Sequence, residues 1–204
     1  MAKVQKCAAP TGQLRIIGGR FRGRRLPILT EPGLRPTIER SRETLFNWLA
    51  PIVDGSRCLD CFAGSGALGL EAASRGAAQV LMVEHSGPVA RQLRRNTALL
   101  GADEVAVIDA DVIAWLAEQS AQQFDIVFLD PPFGRGLLTL AFDLLRTGGW
   151  VAAGTRVYLE TAVAEGYPPL PPDWTLVRDK CAGQVRYGMV VVGDAGHGDG
   201  ALGY

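Results

Sequence analysis

The sequence predicts an α/β fold: a mostly parallel sheet with helices on both faces, an antiparallel hairpin at one edge, and a small β-hairpin and helix in front. Three observations carry this. From Arg57 onward, short apolar runs alternate with amphipathic stretches across Gly-rich turns, the rhythm of repeated β-α units. After a Pro cluster at 168–172, two strand-like runs near 174–180 and 184–192 are joined only by Cys181-Ala182-Gly183, a connection of hairpin length. Finally, 48% of the 204 residues are hydrophobic, enough for a sizeable core.

Taken in order, residues 1–13 are expected to be a flexible N-terminus. Leu14-Arg15-Ile16-Ile17, Gly18-Gly19 and a basic stretch through Leu26 and Ile28 predict a β-hairpin. Thr37, after a Pro, starts the helical spacing Ile38, Arg42, Leu45, Trp48, Leu49, which ends before Pro51. Strands are predicted at 57–61, 79–84, 105–109, 124–130 and 156–160, with helices at 67–75, 88–100, 111–119 and 136–146. Residues 14–50 thus form a basic extension, 51–192 the α/β domain, and the Gly-rich 193–204 a disordered tail. No internal repeat is present.

Net charge is zero, yet residues 1–42 carry ten Lys/Arg against two Glu, while the remainder carries eleven basic and nineteen acidic side chains. Eight arginines between positions 15 and 42 read as an arm for a polyanion. Arg15, Arg20, Arg22, Arg24, Arg25 and Arg35 are the candidate phosphate contacts, with Thr37 beside them and Phe21 interleaved for stacking on a base. Arg40 and Arg42 could join them or pair with Glu39 and Glu43. The opening MAKVQKCAAPTGQ lacks the apolar core of a signal peptide, and no run approaches the ~20 residues of a membrane span, so a cytoplasmic protein is expected. Cys58 and Cys61 form a C-x-x-C pair inside an apolar run. On a strand, residues three apart face opposite ways, so the two are read as small buried hydrophobes rather than a redox or metal site, and no metal is expected.

The first strand ends on Asp60-Cys61-Phe62-Ala63-Gly64-Ser65-Gly66-Ala67-Leu68-Gly69, within which Gly64 to Gly69 satisfies G-x-G-x-x-G. Glu84, twenty residues past Gly64, stands where a dinucleotide enzyme places its ribose-binding acid, so a dehydrogenase fits the spacing. Asp60 argues otherwise. A carboxylate before the turn repels a pyrophosphate but suits a cation such as S-adenosyl-L-methionine, with its sulfonium and amino group. On this reading Asp60, Phe62, Ala63, Gly64, Ser65 and Gly66 surround the cofactor's amino acid portion. Glu84 accepts from its ribose hydroxyls, and Asp111 with Val112 meets the adenine. Asp111 reads equally as a helix N-cap. His85 stands beside the adenine or is a plain surface residue.

The strand at 124–130 ends on Asp130-Pro131-Pro132-Phe133. Two prolines force the chain out of the sheet along a fixed, extended path. The Asp130 carboxylate and the Pro131 carbonyl can each accept one N–H of a flat exocyclic amine and so direct its lone pair at a methyl donor. Pro132 adds stiffness and no competing donor, and Phe133 offers a face for the target base.

Leu14 to Gly19, Arg22-Gly23-Arg24, Gly33 to Thr37, Arg42 to Leu49, the Asp60–Gly69 loop and Asp130–Phe133, in this order, closely resemble the RsmD family of bacterial 16S rRNA guanine-N2 methyltransferases, over residues 14 to 192. The resemblance implies a class I methyltransferase fold with a Rossmann-like seven-stranded sheet, cytoplasmic location, and action on the small ribosomal subunit, at the N2 amine of guanine 966, and a monomer is expected. It assigns Asp60, Gly64 and Gly66 to the cofactor loop, Glu84 to the ribose, Asp111 to the adenine, and Asp130 to Phe133 to the target amine. Phe21 departs from the family's usual Trp but keeps an aromatic. Two rivals stay open: a methyltransferase acting on adenine N6, cytosine N4 or a protein glutamine, and a non-catalytic RNA-binding assembly factor.

Overall fold

The strand–helix alternation resolves, in a computed structural model describing residues 12–29, 39–119 and 122–194, into nine strands and five helices. They run β1 (Gly12–Arg15), β2 (Arg25–Ile28), α1 (Glu39–Leu49), β3 (Arg57–Asp60), α2 (Gly69–Ser74), β4 (Gln79–Glu84), α3 (Gly87–Leu100), β5 (Val105–Asp109), α4 (Val112–Glu118), β6 (Ile126–Leu129), α5 (Leu137–Thr147), β7 (Arg156–Ala162), β8 (Trp174–Ala182) and β9 (Val185–Val192). Arg35 and Thr37, and nearly all of the two tails at 1–13 and 193–204, lie outside the described residues. Gly12 and Gln13 do not belong to a flexible N-terminus: they pair with Ile28 and Pro27 in the first hairpin.

Strands β3 to β9 form one sheet in the order β5-β4-β3-β6-β7-β9-β8. The first five in this order are parallel, and β9 pairs antiparallel with both β7 and β8. Chain order reverses between β3 and β6, so a cleft opens beyond their carboxyl ends, where open α/β sheets bind ligands. Asp60 closes β3 and Asp130 follows β6, so the two motifs singled out from sequence meet at that reversal.

The central strands β3, β4, β6 and β7 are buried on both faces, which is why they read as near-continuous apolar runs. Leu59, Val83, Val127, Leu129 and Leu159 face α4 and α5 with Leu116, Phe142 and Trp150. Cys58, Val80, Met82, Phe128 and Tyr158 face the other way, and there Leu14, Ile16, Phe21, Leu26, Leu45, Phe46 and Leu49 cover them. The basic extension is therefore also half the cover of one sheet face. Cys58 and Cys61 do fall on opposite faces, both free and buried, and burial pushes the Cys58 thiol up to about 12. No helix among the described residues is long and apolar enough to cross a membrane.

Candidate active site

The glycine loop is held from two acids. Asp60, 1% exposed, accepts the Gly69 amide at 2.9 Å and so caps α2. The helix α2 starts at Gly69, two residues later than the predicted 67. A Cβ at Gly69 would lie 2.7 Å from the Met82 side chain and 3.2 Å from the Asp60 carboxylate, so only glycine brings the amide this close. Burial pushes Asp60 up to about 7, partly offset by the Gly69 hydrogen bond and reinforced by the nearby Glu84 charge. Glu84 accepts from Gly64 N at 2.8 Å and Ser86 N at 2.7 Å, one bond per oxygen, clasping the loop to the end of β4. Gly64 and Gly66 take the left-handed φ values of 50° and 79° that the turn requires.

The other predicted cofactor residues line the same edge. Ala63 is buried and donates to the Val83 carbonyl, with Phe62 and Ser65 half-buried beside it. His85 is exposed, its Nδ1 3.1 Å from a Glu84 oxygen. Asp111 is an N-cap, accepting from Ala114 N at 3.0 Å with one carboxylate oxygen. The Val112 side chain is core, so what it offers a ligand is its amide, which as the first of α4 lacks a helical acceptor.

Beyond β6 the tetrad leaves the sheet as its prolines require. Asp130 is half-buried, and its charge adds to burial and to Glu160 in raising the Tyr158 phenol; Pro131 is buried, Pro132 exposed and Phe133 half-buried. The tetrad's prolines and Phe133 form one wall of a cavity of about 200 Å³; Leu138 of α5, Glu160 and Tyr167 close it. Glu160 lies next to Asp130 in the sheet, since Leu129 and Leu159 are register partners. Sequence reading passed over Glu160, although the strand predicted at 156–160 ends on it, by the same rule that marked Asp60, Glu84 and Asp130.

The described family "Conserved hypothetical protein 95" matches residues 14–191. The Escherichia coli K12 protein named Ribosomal RNA small subunit methyltransferase D is 51% identical over 177 residues, covering 87% of this chain and 89% of its own. The Haemophilus influenzae protein of the same name is 44% identical over 192 residues, covering 92% and 97%. The chain belongs to the RsmD family. The solved structure of the Escherichia coli protein yhhF superposes with a TM-score of 0.83 at 47% identity, covering 89% of this chain and 99% of that one. The sheet order and these neighbours make the domain a class I methyltransferase fold.

The basic arm of this RsmD-family chain corrects part of the sequence reading. Phe21 is buried, not presented to a base: its amide donates to Ser74 Oγ at 2.9 Å and the Arg20 guanidinium lies 4.4 Å above its ring. Arg20 also pairs with Glu104, and Arg24 donates to the Leu99 carbonyl at 3.0 Å. Arg42 is buried and donates to the Arg15 carbonyl at 2.7 Å, so it serves the core and not a phosphate. The side chains of Arg15, Arg22 and Arg25 are exposed. Unforeseen was Glu71, fully buried on α2, which accepts from Ile17 N at 2.9 Å, Gly18 N at 2.8 Å and Arg75 Nε at 2.8 Å.

Proposed function

We propose that this chain transfers a methyl group from S-adenosyl-L-methionine to the exocyclic N2 amine of a guanine in 16S rRNA, within the assembled or assembling small subunit in the cytoplasm. One observation carries the reading: an acid-ended glycine loop and an acid-ended, proline-stiffened exit sit at the ends of adjacent strands, beside a cavity. The fit to the cofactor rests on Asp60, whose buried carboxyl is raised by burial and by the nearby Glu84 charge, so a cation beside it would be favoured. Asp60 and the Phe62–Gly66 backbone would hold the amino acid end, Glu84 the ribose, and His85, Asp111 and Val112 the adenine. When bound, the cofactor supplies an electrophilic methyl on a cationic sulfur.

The rest of the work falls to the chain. Asp130 and the Pro131 carbonyl each accept one N–H of the amine, favouring a pyramidal nitrogen whose lone pair points at the methyl carbon. The prolines have no N–H to compete and fix the direction of the carbonyl. Phe133 gives the extruded base a stacking face. Alignment of this kind can lower a barrier by up to about 7–11 kcal/mol. The methylated nitrogen is cationic and acidic, so its proton leaves to Asp130 or to water and no strong base is needed.

Incubation with methyl-labelled cofactor and small subunits, free 16S rRNA or a release factor, followed by nucleoside mass spectrometry, tests this. N2-methylguanine in the RNA, at guanine 966 by the family resemblance, is the expected product. Label on adenine N6, cytosine N4 or a glutamine amide, or RNA binding without turnover, would replace the reading.

A further inference from the structure

The cavity beside the tetrad holds an acid that this reading leaves idle. Glu160 is 4% exposed at the carboxyl end of β7 and lines the cavity wall. Its Oε1 accepts from the Tyr158 hydroxyl at 2.5 Å, and among the described residues Oε2 makes no hydrogen bond. Glu160 lines the cavity, which brings its carboxylate to the cavity wall. Of the other polar groups there, the Thr161 hydroxyl donates to the Gly166 carbonyl at 3.1 Å and the Tyr167 hydroxyl to Asp179 at 3.3 Å, while Arg135, Thr139 and Glu165 also line the cavity.

We infer that Glu160 selects guanine, its Oε2 accepting the N1–H of the same base whose N2 amine Asp130 and Pro131 hold. The inference rests on the reading above. Asp130 follows β6 and Glu160 lies in β7, each directly after the register partners Leu129 and Leu159, on parallel strands about 4.8 Å apart. They form two acceptors side by side. Guanine presents two adjacent donors, N1–H and N2–H, on its Watson–Crick edge. Adenine and cytosine present a bare ring nitrogen next to their amine, and its lone pair would face a carboxylate oxygen. Tyr158 fixes the orientation of the acid: its hydroxyl is fully buried, and both Asp130 and Glu160 act on it electrostatically. Burial raises the Glu160 carboxyl while the Tyr158 bond lowers it, so the acceptor is poorly hydrated and an N–H donor gains more there than in water.

The discriminating probe is 2-aminopurine, which keeps the exocyclic amine but has no N1–H. Small subunits are reconstituted with guanine or 2-aminopurine at the nucleotide the wild-type protein methylates, and kcat/KM is measured for each. The wild type should prefer guanine by about 10- to 100-fold, the worth of a good base-edge contact. Glu160→Gln, of equal size and able to donate to the bare nitrogen, should lose or reverse that preference while affinity for S-adenosylhomocysteine holds. Tyr158→Phe, which keeps the acid but frees it, should lose part of the preference. If an active Glu160→Gln or Tyr158→Phe variant keeps the wild-type ratio, the assignment is overturned. Should Glu160→Gln fail to fold by thermal melting, the Tyr158→Phe ratio decides alone. A wild-type protein that puts no methyl on guanine would instead remove the proposed function itself.

Discussion

At Asp60 the cost of burial and the gain from ligand charge oppose each other, and pH separates them. Its carboxyl, ordinarily 3.8, sits at about 7 in the free protein. Between those values the folded state holds more protons than the unfolded, so this group's contribution to stability falls as pH rises through the window. A cationic ligand favours the ionised form, so affinity for S-adenosyl-L-methionine should rise roughly tenfold between pH 6 and 8. Asp60→Asn keeps the acceptor for the Gly69 amide but not the charge. Calorimetric titration should show weaker cofactor binding without the pH slope, and the free variant should melt at or above wild type at pH 8. At Asp130 the expectation differs. Asp130→Ala should lower kcat by about 100-fold, as loss of one aimed hydrogen-bonding group does, leaving cofactor affinity unchanged. Full turnover by this variant in a single-turnover methylation assay would break the proposed mechanism.

Among the elements, the joint between the N-terminal hairpin and α2 matters most. Glu71 satisfies two backbone amides of the hairpin's turn, Ser74 bonds both Gly18 O and Phe21 N, and a Cβ at Gly19 would lie 1.8 Å from the Ser74 carbonyl oxygen. Glu71→Ala should therefore cost about 3 kcal/mol or more in chemical denaturation, since two amides lose their partner. Glu71→Gln should recover part of this, because its carbonyl still accepts one of them. None of this joint was legible from sequence. Glu71 sits inside a helix and its partners are main-chain groups 53 and 54 residues away, which leave no mark on composition or spacing. The central strands were legible because burial on both faces writes apolar runs, and Gly or Pro breaks them. Asp60, Glu84, Asp111 and Asp130 were legible because each closes a strand or follows it. Phe21 misled because a lone aromatic among arginines reads the same whether it faces solvent or supports a guanidinium from below.

For the molecule as a whole, the charge asymmetry acquires a fixed direction once the hairpin is seen clamped to α2, α3 and the edge of the sheet. Arginines tied to the body and arginines turned to solvent should then fail in different ways. Arg20 and Arg24 engage Glu104 and the Leu99 carbonyl, so their loss should lower stability slightly, by less than about 1 kcal/mol for a half-exposed pair, read as a small drop in melting temperature. Arg22 and Arg25 are exposed, and the fixed hairpin holds them in place without spending them on the fold. Replacing both with Ala should leave melting and cofactor affinity unchanged and weaken association with small-subunit RNA. The plot of log affinity against log salt should become shallower by about 0.7–0.9 for each phosphate contact removed. Fluorescence anisotropy across a salt series measures that slope. A uniform loss of affinity at unchanged slope would place the RNA on another face of the protein, and a parallel loss of cofactor binding would make these arginines part of the fold instead.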